Sequence, residues 1–397
     1  MRFKYRSFIT AILVLASGSS NASSFNLSLI GAYSIPTGTQ FQGVEFGGIS
    51  GLDRAQNGSY YAISDDRGGE RGTPRFYNID LNYDSDGFHG VTINNQTYMK
   101  RSDGTTFPAT SRTVDPEGIR VAPNGNLYLS SEGNWNANPA LRYQPFVREM
   151  QMDGTFVREF ATPSIYNYVD NTTTGGRNNK LFEALTVSPN GTLFTANEDA
   201  LIQDGSITTL TSGSAIRLTA LDSVTGQAIA QYGYQLPQIP VDAVPGAPFG
   251  PDNGLPDLLA ISDTQFIAVE RAFASGIGNT IRLIQTEISS TTTDISTIVS
   301  LVGANYKPMS REVLLDMAIN YQGVQMDNIE AITWGKTLAN GNRTLILAAD
   351  NNFATTQVTQ FIALEVVPVP VPAAWILMFS GLATLTVRKQ FTSRSKA

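Results

Sequence analysis

Cysteine is absent from all 397 residues, and histidine occurs once, at position 89. Without cysteine the chain has neither disulfide bonds nor thiolate metal ligands. A histidine-based zinc site needs more than one histidine, so a chain whose only histidine is His89 cannot form one. No Gly-x-Ser-x-Gly turn occurs either, so a Ser-His-Asp hydrolase is not expected. A large packed core must hold the fold together, and carboxylate and amide oxygens remain as the main candidates for chemistry.

Positive charge is scarce in the middle of the chain. Residues 1–22 contain three basic residues and residues 368–397 contain four, and neither segment contains an acidic residue. The remaining residues carry 20 basic and 34 acidic side chains, a net charge of −14. A domain this acidic does not bind nucleic acid through its overall field, and cations are its natural partners.

The N-terminal segment predicts export. Arg2, Lys4 and Arg6 precede an apolar run at residues 8–16, and small polar residues follow up to Ala22. This order is typical of a secretory signal peptide, which we assign to residues 1–22. The expected location is the periplasm, the outer cell surface or the extracellular space.

The C-terminal segment, residues 368–397, combines a Val-Pro-Val-Pro stretch, an apolar run at 371–387 and a basic tail without acids. This arrangement resembles the PEP-CTERM family of sorting signals. The resemblance implies a partner in the export and sorting machinery and a transient or stable anchor in the inner membrane through a short span. A plain C-terminal anchor helix is the alternative.

One pattern recurs along the middle of the chain: a carboxylate, a short apolar strand, a tight turn, a second strand and a polar pair. Residues 117–132 and 183–198 are close copies, and further copies begin at Ser50, Leu258 and Glu330. Each Asn-Gly pair stands where a two-residue hairpin needs positive φ at both turn positions. Repeats at this spacing indicate a repeat architecture within one domain.

The repeats predict an all-β fold, a β-propeller. Each inner hairpin is followed by a second pair of strands, and four strands make one blade. The last repeat has only one strand after its hairpin, whereas residues 26–34 form an unpaired strand; pairing the two would close the ring. We count five blades in a domain spanning 23–367. Six are possible if a divergent blade lies within 84–112 or 286–326.

The same segments resemble the phytase-like domain family, described by the esterase-like activity of phytase. The segments that carry the resemblance are Gly48-Ile-Ser-Gly-Leu52, Ser64-Asp-Asp-Arg67, Asp115-Pro-Glu-Gly-Ile119, Ser131-Glu-Gly133, Phe182-Glu-Ala-Leu-Thr186, Asn197-Glu-Asp199, Val269-Glu-Arg-Ala-Phe273 and Asn328-Ile-Glu-Ala-Ile332. They span nearly the whole predicted domain. The resemblance implies a propeller and hydrolysis of an ester.

Residues that recur at the start and end of every inner hairpin converge at one mouth of a propeller channel. Acids crowded there raise each other's pKa or require a cation to neutralise them. Oxygen ligands of this type suit Ca²⁺. The expected metal ligands are Glu117, Glu183, Asn197, Glu198, Glu330, Asp350 and Asn351. The expected substrate-binding residues are Asp65, Asp66, Arg67, Glu132, Glu270 and Arg271, because forked arginines among acids suit a phosphate or carboxylate. The expected catalytic residues are Glu117, Glu183, Glu330, Arg67 and Arg271.

Three functions are compatible with these residues. The leading hypothesis is a Ca²⁺-assisted hydrolase of a phosphate or other ester, with a small-molecule or polymer substrate. A lactonase resembling the gluconolactonase type is the second. The third is a non-catalytic envelope or exopolysaccharide-binding protein, in which the carboxylates cap strands or pair with Arg67, Arg120 and Arg271.

Overall fold

A computed structural model of the chain describes residues 25–369. The predicted signal peptide at 1–22 and the apolar run at 371–387 lie outside the described residues. The helices found within 25–369 are three single 3₁₀ turns, Pro139–Leu141, Ser164–Tyr166 and Ile202–Asp204. None of the helices in this part of the chain is long and apolar enough to cross a membrane.

Twenty-four strands build the described structure. They are β1 (Phe25–Pro36), β2 (Gln40–Phe41), β3 (Val44–Glu45), β4 (Ile49–Arg54), β5 (Tyr60–Ser64), β6 (Arg75–Asp84), β7 (Gly87–Tyr98), β8 (Pro116–Val121), β9 (Leu127–Ser131), β10 (Phe146–Met150), β11 (Phe156–Glu159), β12 (Phe182–Val187), β13 (Leu193–Asn197), β14 (Ser214–Leu221), β15 (Ala228–Leu236), β16 (Asp252–Ala260), β17 (Gln265–Ala274), β18 (Gly278–Glu287), β19 (Glu312–Met317), β20 (Asn320–Tyr321), β21 (Val324–Gln325), β22 (Asn328–Trp334), β23 (Arg343–Asp350) and β24 (Val358–Pro368). Apart from the two small hairpins β2–β3 and β20–β21, they form five four-stranded antiparallel sheets.

The five sheets are the five predicted blades, and the ring closes as predicted. Four blades run in chain order from inner to outer strand, β4 to β7, β8 to β11, β12 to β15 and β16 to β19. The fifth has the order β22-β23-β24-β1, so the N-terminal strand completes the last blade. The two segments considered for a sixth blade instead supply outer strands, β7 and β19, and a small hairpin.

The inner hairpins turn differently from the sequence expectation. In the second blade, Gly125 donates to the carbonyl of Ala122 at 2.9 Å, and Ala122 donates to Asn126 at 2.8 Å. Gly125 has φ +85°, whereas Asn124 is not among the residues with positive φ. The loop is therefore a three-residue turn that ends in a left-handed glycine, and the prediction of two positive-φ positions was wrong here.

Inner strands are buried on both faces because each lies between two blades. The inner strands β8 and β12 are buried at every position but the last, and the second strands β9 and β13 are buried throughout. Aromatic rings fill the space between neighbouring blades, as where Phe194 meets Phe266 edge-on at a centroid distance of 5.0 Å. Such interlocked rings contribute about 1 kcal/mol beyond their buried area, which lets a chain without disulfides hold a ring of sheets.

Every inner strand contains an irregularity in pairing at the same place, close to its start. The register shifts lie between Ile49 and Gly51, Pro116 and Ile119, Phe182 and Ala184, Gly254 and Asp257, and Ile329 and Ala331. A bulge adds a residue to one strand and redirects its side chain. In three blades the extra residue is an acid: Glu117, Glu183 and Glu330.

A buried ion pair closes the channel further in, and we call Arg120 and Asp257 the channel plug. One guanidinium nitrogen of Arg120 lies 2.8 Å from each carboxylate oxygen of Asp257. Arg120 also donates to the carbonyls of Leu52, Leu258 and Ile332. Asp257 accepts from the backbone of Leu185 and Ile332. The plug thereby connects the inner strands of all five blades.

A ring of buried carboxylates at the channel mouth

Eight acidic side chains gather at the mouth above the plug, and we call them the carboxylate ring. They are Asp65, Asp115, Glu117, Glu132, Glu183, Glu198, Glu330 and Asp350. Some come from the bulged starts of inner strands and others from the ends of the neighbouring second strands. Seven are buried, and the Glu330 side chain is 13% exposed. Three cations, Arg67, Lys180 and Arg271, lie among them.

Two groups of three within the ring have the spacing of a metal site. Asp115, Glu117 and Glu132 form one, and Glu132, Glu183 and Glu198 form the other; within each, one oxygen per residue lies within 4.8 Å of the others. Ca²⁺ binds oxygens at about 2.3–2.6 Å, so two ligands of one ion lie at most about 5 Å apart. Both groups meet this condition, and Glu132 belongs to both.

Cations neutralise one side of the ring. Glu198 accepts from Arg271 on one oxygen at 2.7 Å, and its other oxygen lies 2.7 Å from the Lys180 ammonium. The close approach of Glu198 also requires glycine at position 254, where a Cβ would lie 2.3 Å from a Glu198 oxygen. Glu330 accepts from the Asn328 amide and lies 3.5 Å from Arg271.

The other side of the ring lacks such partners. Among the described residues, no side chain or backbone group donates to the carboxylates of Glu117 or Glu183. Glu132 accepts from the Leu181 backbone on one oxygen, while its second oxygen is buried without a partner. One oxygen of Asp65 is also buried and unpaired. Buried carboxylate oxygens without donors are costly, so a cation bound beside them would be stabilising.

Burial and crowding raise the pKa values of the ring acids. Desolvation raises the pKa of Glu117, and the charges of Asp115 and Glu183 raise it further. Desolvation raises the pKa of Glu183 in the same way, with Glu198 and Glu132 adding to it. Burial raises the pKa of Asp115 to about 7, although Arg67 opposes the shift. A bound divalent cation would favour the charged forms and reverse these shifts.

Nine of the predicted site residues meet at the mouth. They are Asp65, Arg67, Glu117, Glu132, Glu183, Glu198, Arg271, Glu330 and Asp350. Arg67 lies at the edge of the ring, with its Nε 3.0 Å from Asp115. Asp350 accepts from the backbone of Asn352 at 2.8 Å and lies 3.4 Å from the Asn328 amide.

The side chains of the other four make contacts elsewhere. Asp66 forms a buried ion pair with Arg75 at 2.7 Å, and Glu270 binds Arg311 and the hydroxyl of Tyr234. The Asn197 amide bridges backbone groups of Asp199 and Arg217. The Asn351 amide accepts from Gly48 and donates to Thr37. These four side chains stabilise loops and blade contacts, and their polar atoms are already used.

Sequence reasoning left out three charged residues of the mouth. Asp115 precedes the second inner strand by one residue, and only its place in the Asp-Pro-Glu-Gly segment signals it. Lys180 and Asp252 lie 2.7 Å apart; Lys180 comes from the connection that leads into β12, and Asp252 is the first residue of β16. The segments around these two residues do not repeat between blades, so no repeat pattern could find them.

A pocket of about 390 Å³ opens beside the ring, lined by Asp65, Arg67, Glu70, Arg71 and Phe353 among others. Its wall includes two consecutive left-handed residues, Asn352 at φ +47° and Phe353 at φ +49°. Each such residue costs of order 1–2 kcal/mol. The bonds of Asp350 and Asn351 to the backbone of Asn352 and Phe353 hold this conformation, which keeps the pocket in shape.

Fold and site together define a five-bladed propeller whose channel mouth carries a ring of buried carboxylates. The family model described as "Esterase-like activity of phytase" matches residues 44–353, and the chain belongs to this phytase-like family. No curated protein matches the chain. Among solved structures, it is similar to a thermostable family-43 glycoside hydrolase, at 10% identity over 86% of this chain and 98% of that one with a TM-score of 0.44. It is also similar to an N-acetylgalactosamine deacetylase from F. plautii, at 12% identity over 87% of this chain and 96% of that one with a TM-score of 0.40.

Proposed function

We propose that the carboxylate ring binds Ca²⁺ and that the protein hydrolyses an anionic ester at the channel mouth. Phosphate esters are the first candidate substrates. The observation that carries this proposal is the pair of carboxylate groups that share Glu132, whose second oxygen is buried without a hydrogen-bond partner. Membership of the phytase-like family supports the same reaction class.

The distribution of partners selects the ligands. Glu198 already binds two cations, which weakens the second group as a metal site. Within residues 25–369, Glu117 and Glu183 have no ion pair, Glu132 has one oxygen without a partner, and Arg67 is the cation paired with Asp115. We therefore assign these four as the ligands. Ca²⁺ bound there would supply Lewis-acid polarisation of the ester and increase the acidity of water.

Arg67 is placed to bind the anionic group of the substrate. Its side chain is 24% exposed, lies against Asp115 and lines the 390 Å³ pocket. The surrounding acids raise the pKa of Arg67, so it stays charged. A guanidinium beside a cation site neutralises a phosphate or carboxylate from a second direction.

The exported location predicted from the sequence would expose this mouth to extracellular calcium.

Activity screening tests the proposal directly. Full-length protein should hydrolyse a phosphomonoester, assayed with and without chelator beside a carboxyl ester and a lactone. Activity should disappear in chelator and return with Ca²⁺. Glu117→Gln should reduce it at least tenfold, whereas Glu159→Gln, a matched change at a side chain 49% exposed, should not.

The other outcomes identify the alternatives. Hydrolysis that is unaffected by chelator would rule out the calcium proposal. Turnover of the lactone alone would favour the lactonase, because a neutral substrate has no need of Arg67. Calcium binding without activity on any ester would favour the non-catalytic binding protein.

A further inference from the structure

One exposed indole lies in the loop that follows Glu132 of the carboxylate ring. Trp135 is 45% exposed although it follows the buried Glu132 by only three residues. It belongs to a loop between Gly133 and Tyr143. Tryptophan buries most of its surface in a typical fold, so an exposed indole beside a polar site is a candidate contact for a ligand.

The loop holds the indole in a fixed position. Asn134 and Tyr143 exchange backbone hydrogen bonds at 2.8 and 2.9 Å across its base. Arg142 lies behind the ring, with its guanidinium 5.9 Å from the ring centroid. That guanidinium donates to the carbonyl of Asn136 at 3.0 Å and pairs with Asp170. These contacts hold the loop in one conformation, so the exposed face of the Trp135 indole is already in position to contact a ligand.

Two asparagines connect this loop to the reaction site. The Trp135 backbone donates to the side-chain oxygen of Asn178 at 3.2 Å. The next residue, Asn179, accepts from Arg67 at 3.1 Å. Both asparagines use their oxygens in this way, and within residues 25–369 their amide nitrogens donate to no protein acceptor. Two uncommitted amide donors therefore lie between an exposed aromatic face and the arginine assigned to the anion.

We propose that Trp135, Asn178 and Asn179 form a subsite for a sugar ring, so that the substrate is an anionic ester carried by a saccharide. The apolar C–H face of a pyranose would stack on the indole. Its hydroxyls would accept from the two amides, while Arg67 binds the ester group. The neighbouring Asn136 and Asn138 are polar, which favours a hydroxylated ligand over a lipid or an apolar protein surface. The substrate class rests on the proposed function, but the sugar subsite does not require catalysis.

Binding is therefore tested in chelator, where the proposed reaction is silent. The chain has three tryptophans, so the double variant Trp334→Phe/Trp375→Phe leaves Trp135 as the sole indole. Titration with neutral cello-, malto- and chitotetraose should give a saturable change in its fluorescence with at least one of them. Absence of any saturable change with all three would overturn the subsite.

A second measurement uses the otherwise unmodified chain on an array of glycans. Trp135→Ala should weaken binding about tenfold, equivalent to about 1.4 kcal/mol, because it removes the aromatic face on which the sugar stacks. Trp135→Phe should retain part of it. Unchanged binding by Trp135→Ala, with an unchanged melting temperature, would also overturn the subsite.

Steady-state kinetics distinguish binding at the sugar subsite from the hydrolysis itself. Trp135→Ala should raise KM for a sugar phosphate and leave KM for β-glycerophosphate, which has no ring, unchanged. Equal effects on both substrates would contradict the sugar assignment. If chelator-independent sugar binding is seen while no ester is hydrolysed, the proposed function fails and the subsite stands.

Discussion

The channel contains two charged layers that differ in how their charge is satisfied. In the plug, Arg120 and Asp257 face each other through two 2.8 Å contacts, and backbone groups from all five inner strands surround them. In the carboxylate ring, eight acids share three cations, and some oxygens have no donor. Glu117 and Arg120 lie only three residues apart on β8, so proximity in sequence does not explain the contrast.

The contrast separates structure from function. A layer in which every charge is paired can hold a fold together, as the plug joins five blades. A layer with surplus negative charge opposes folding by itself, because buried like charges repel and lose hydration. On the proposed function, a bound cation would offset this cost, and the two layers should respond differently to the same kinds of change.

The largest effect is expected in the plug. Arg120→Met removes one member of a buried pair and leaves Asp257 charged among carbonyls, which should lower the free energy of unfolding by about 3–5 kcal/mol. Chemical denaturation with and without Ca²⁺ measures this. The control is Arg282→Met, whose exposed partner Asp316 lies 2.8 Å away and whose loss should cost less than about 1 kcal/mol. Equal losses for the two variants would show that the plug is not structural.

The ring should respond to pH more strongly than the plug when no cation is bound. An acid whose pKa is raised on folding binds more protons in the folded state than in the unfolded state. Its stabilising contribution is present below the unfolded pKa and is lost as the pH rises through the folded pKa, which is about 7 for Asp115. In chelator, stability should therefore fall by roughly 1–3 kcal/mol between about pH 5 and pH 8.

Calcium should abolish most of this decline, since a bound divalent cation keeps the ring acids ionised. Thermal melts across the pH range with and without Ca²⁺ provide the comparison. A decline of the same size in both conditions would mean that the ring binds no cation at these pH values.

Replacing a single ring acid should change stability in opposite directions in chelator and in Ca²⁺. Glu183→Gln removes one unpaired charge and nearly keeps the shape, so in chelator it should raise the free energy of unfolding by about 1 kcal/mol. In Ca²⁺ the same variant should lose part of the ligand-induced rise in melting temperature. Glu330→Gln should gain less in chelator, because Arg271 and Asn328 already contact Glu330. A calcium response equal to wild type would exclude Glu183 as a ligand.

The cations of the ring should give the smallest effect. Lys180→Met frees one oxygen of Glu198 and adds net negative charge to the mouth, so Ca²⁺ affinity should rise about threefold. Lys100→Met is a suitable control, because its partner Asp153 is exposed and lies 3.5 Å away. Calorimetric titration reports both affinities, and weaker binding by Lys180→Met would show that Lys180 supports the cation instead of competing with it.

The blades were predictable because each repeat carries its own strands and turn. The number of blades could be predicted from the five copies of one pattern. The closure of the ring could be predicted from the unpaired strand at 26–34 and the missing strand in the last repeat. The carboxylates at strand starts could be recognised for the same reason, since Glu117, Glu183 and Glu330 occupy equivalent positions.

The direction of each side chain was not predictable. Asp65 and Asp66 are adjacent, as are Glu270 and Arg271, and in each pair one side chain enters the mouth while the other packs elsewhere. Which one enters depends on the register of the bulged hairpins, and a one-residue shift in register reverses it. Lys180 was not predicted because it lies on a connection unique to one blade. Arg120 was named as a possible partner of channel carboxylates, but its actual partner, Asp257, was not predicted because it has no counterpart in the other repeats.

Glu132 provides the most direct test of the ring as a cation site. It belongs to both carboxylate groups, one of its oxygens accepts from the Leu181 backbone and the other has no partner. Glu132→Gln retains an acceptor for Leu181 and removes only the charge that a cation would use. Calorimetric titration of the metal-free protein should show Ca²⁺ binding by wild type and a loss of at least tenfold in affinity for Glu132→Gln, with the fold intact. Equal affinity in the two proteins, or no binding by wild type, would contradict the account.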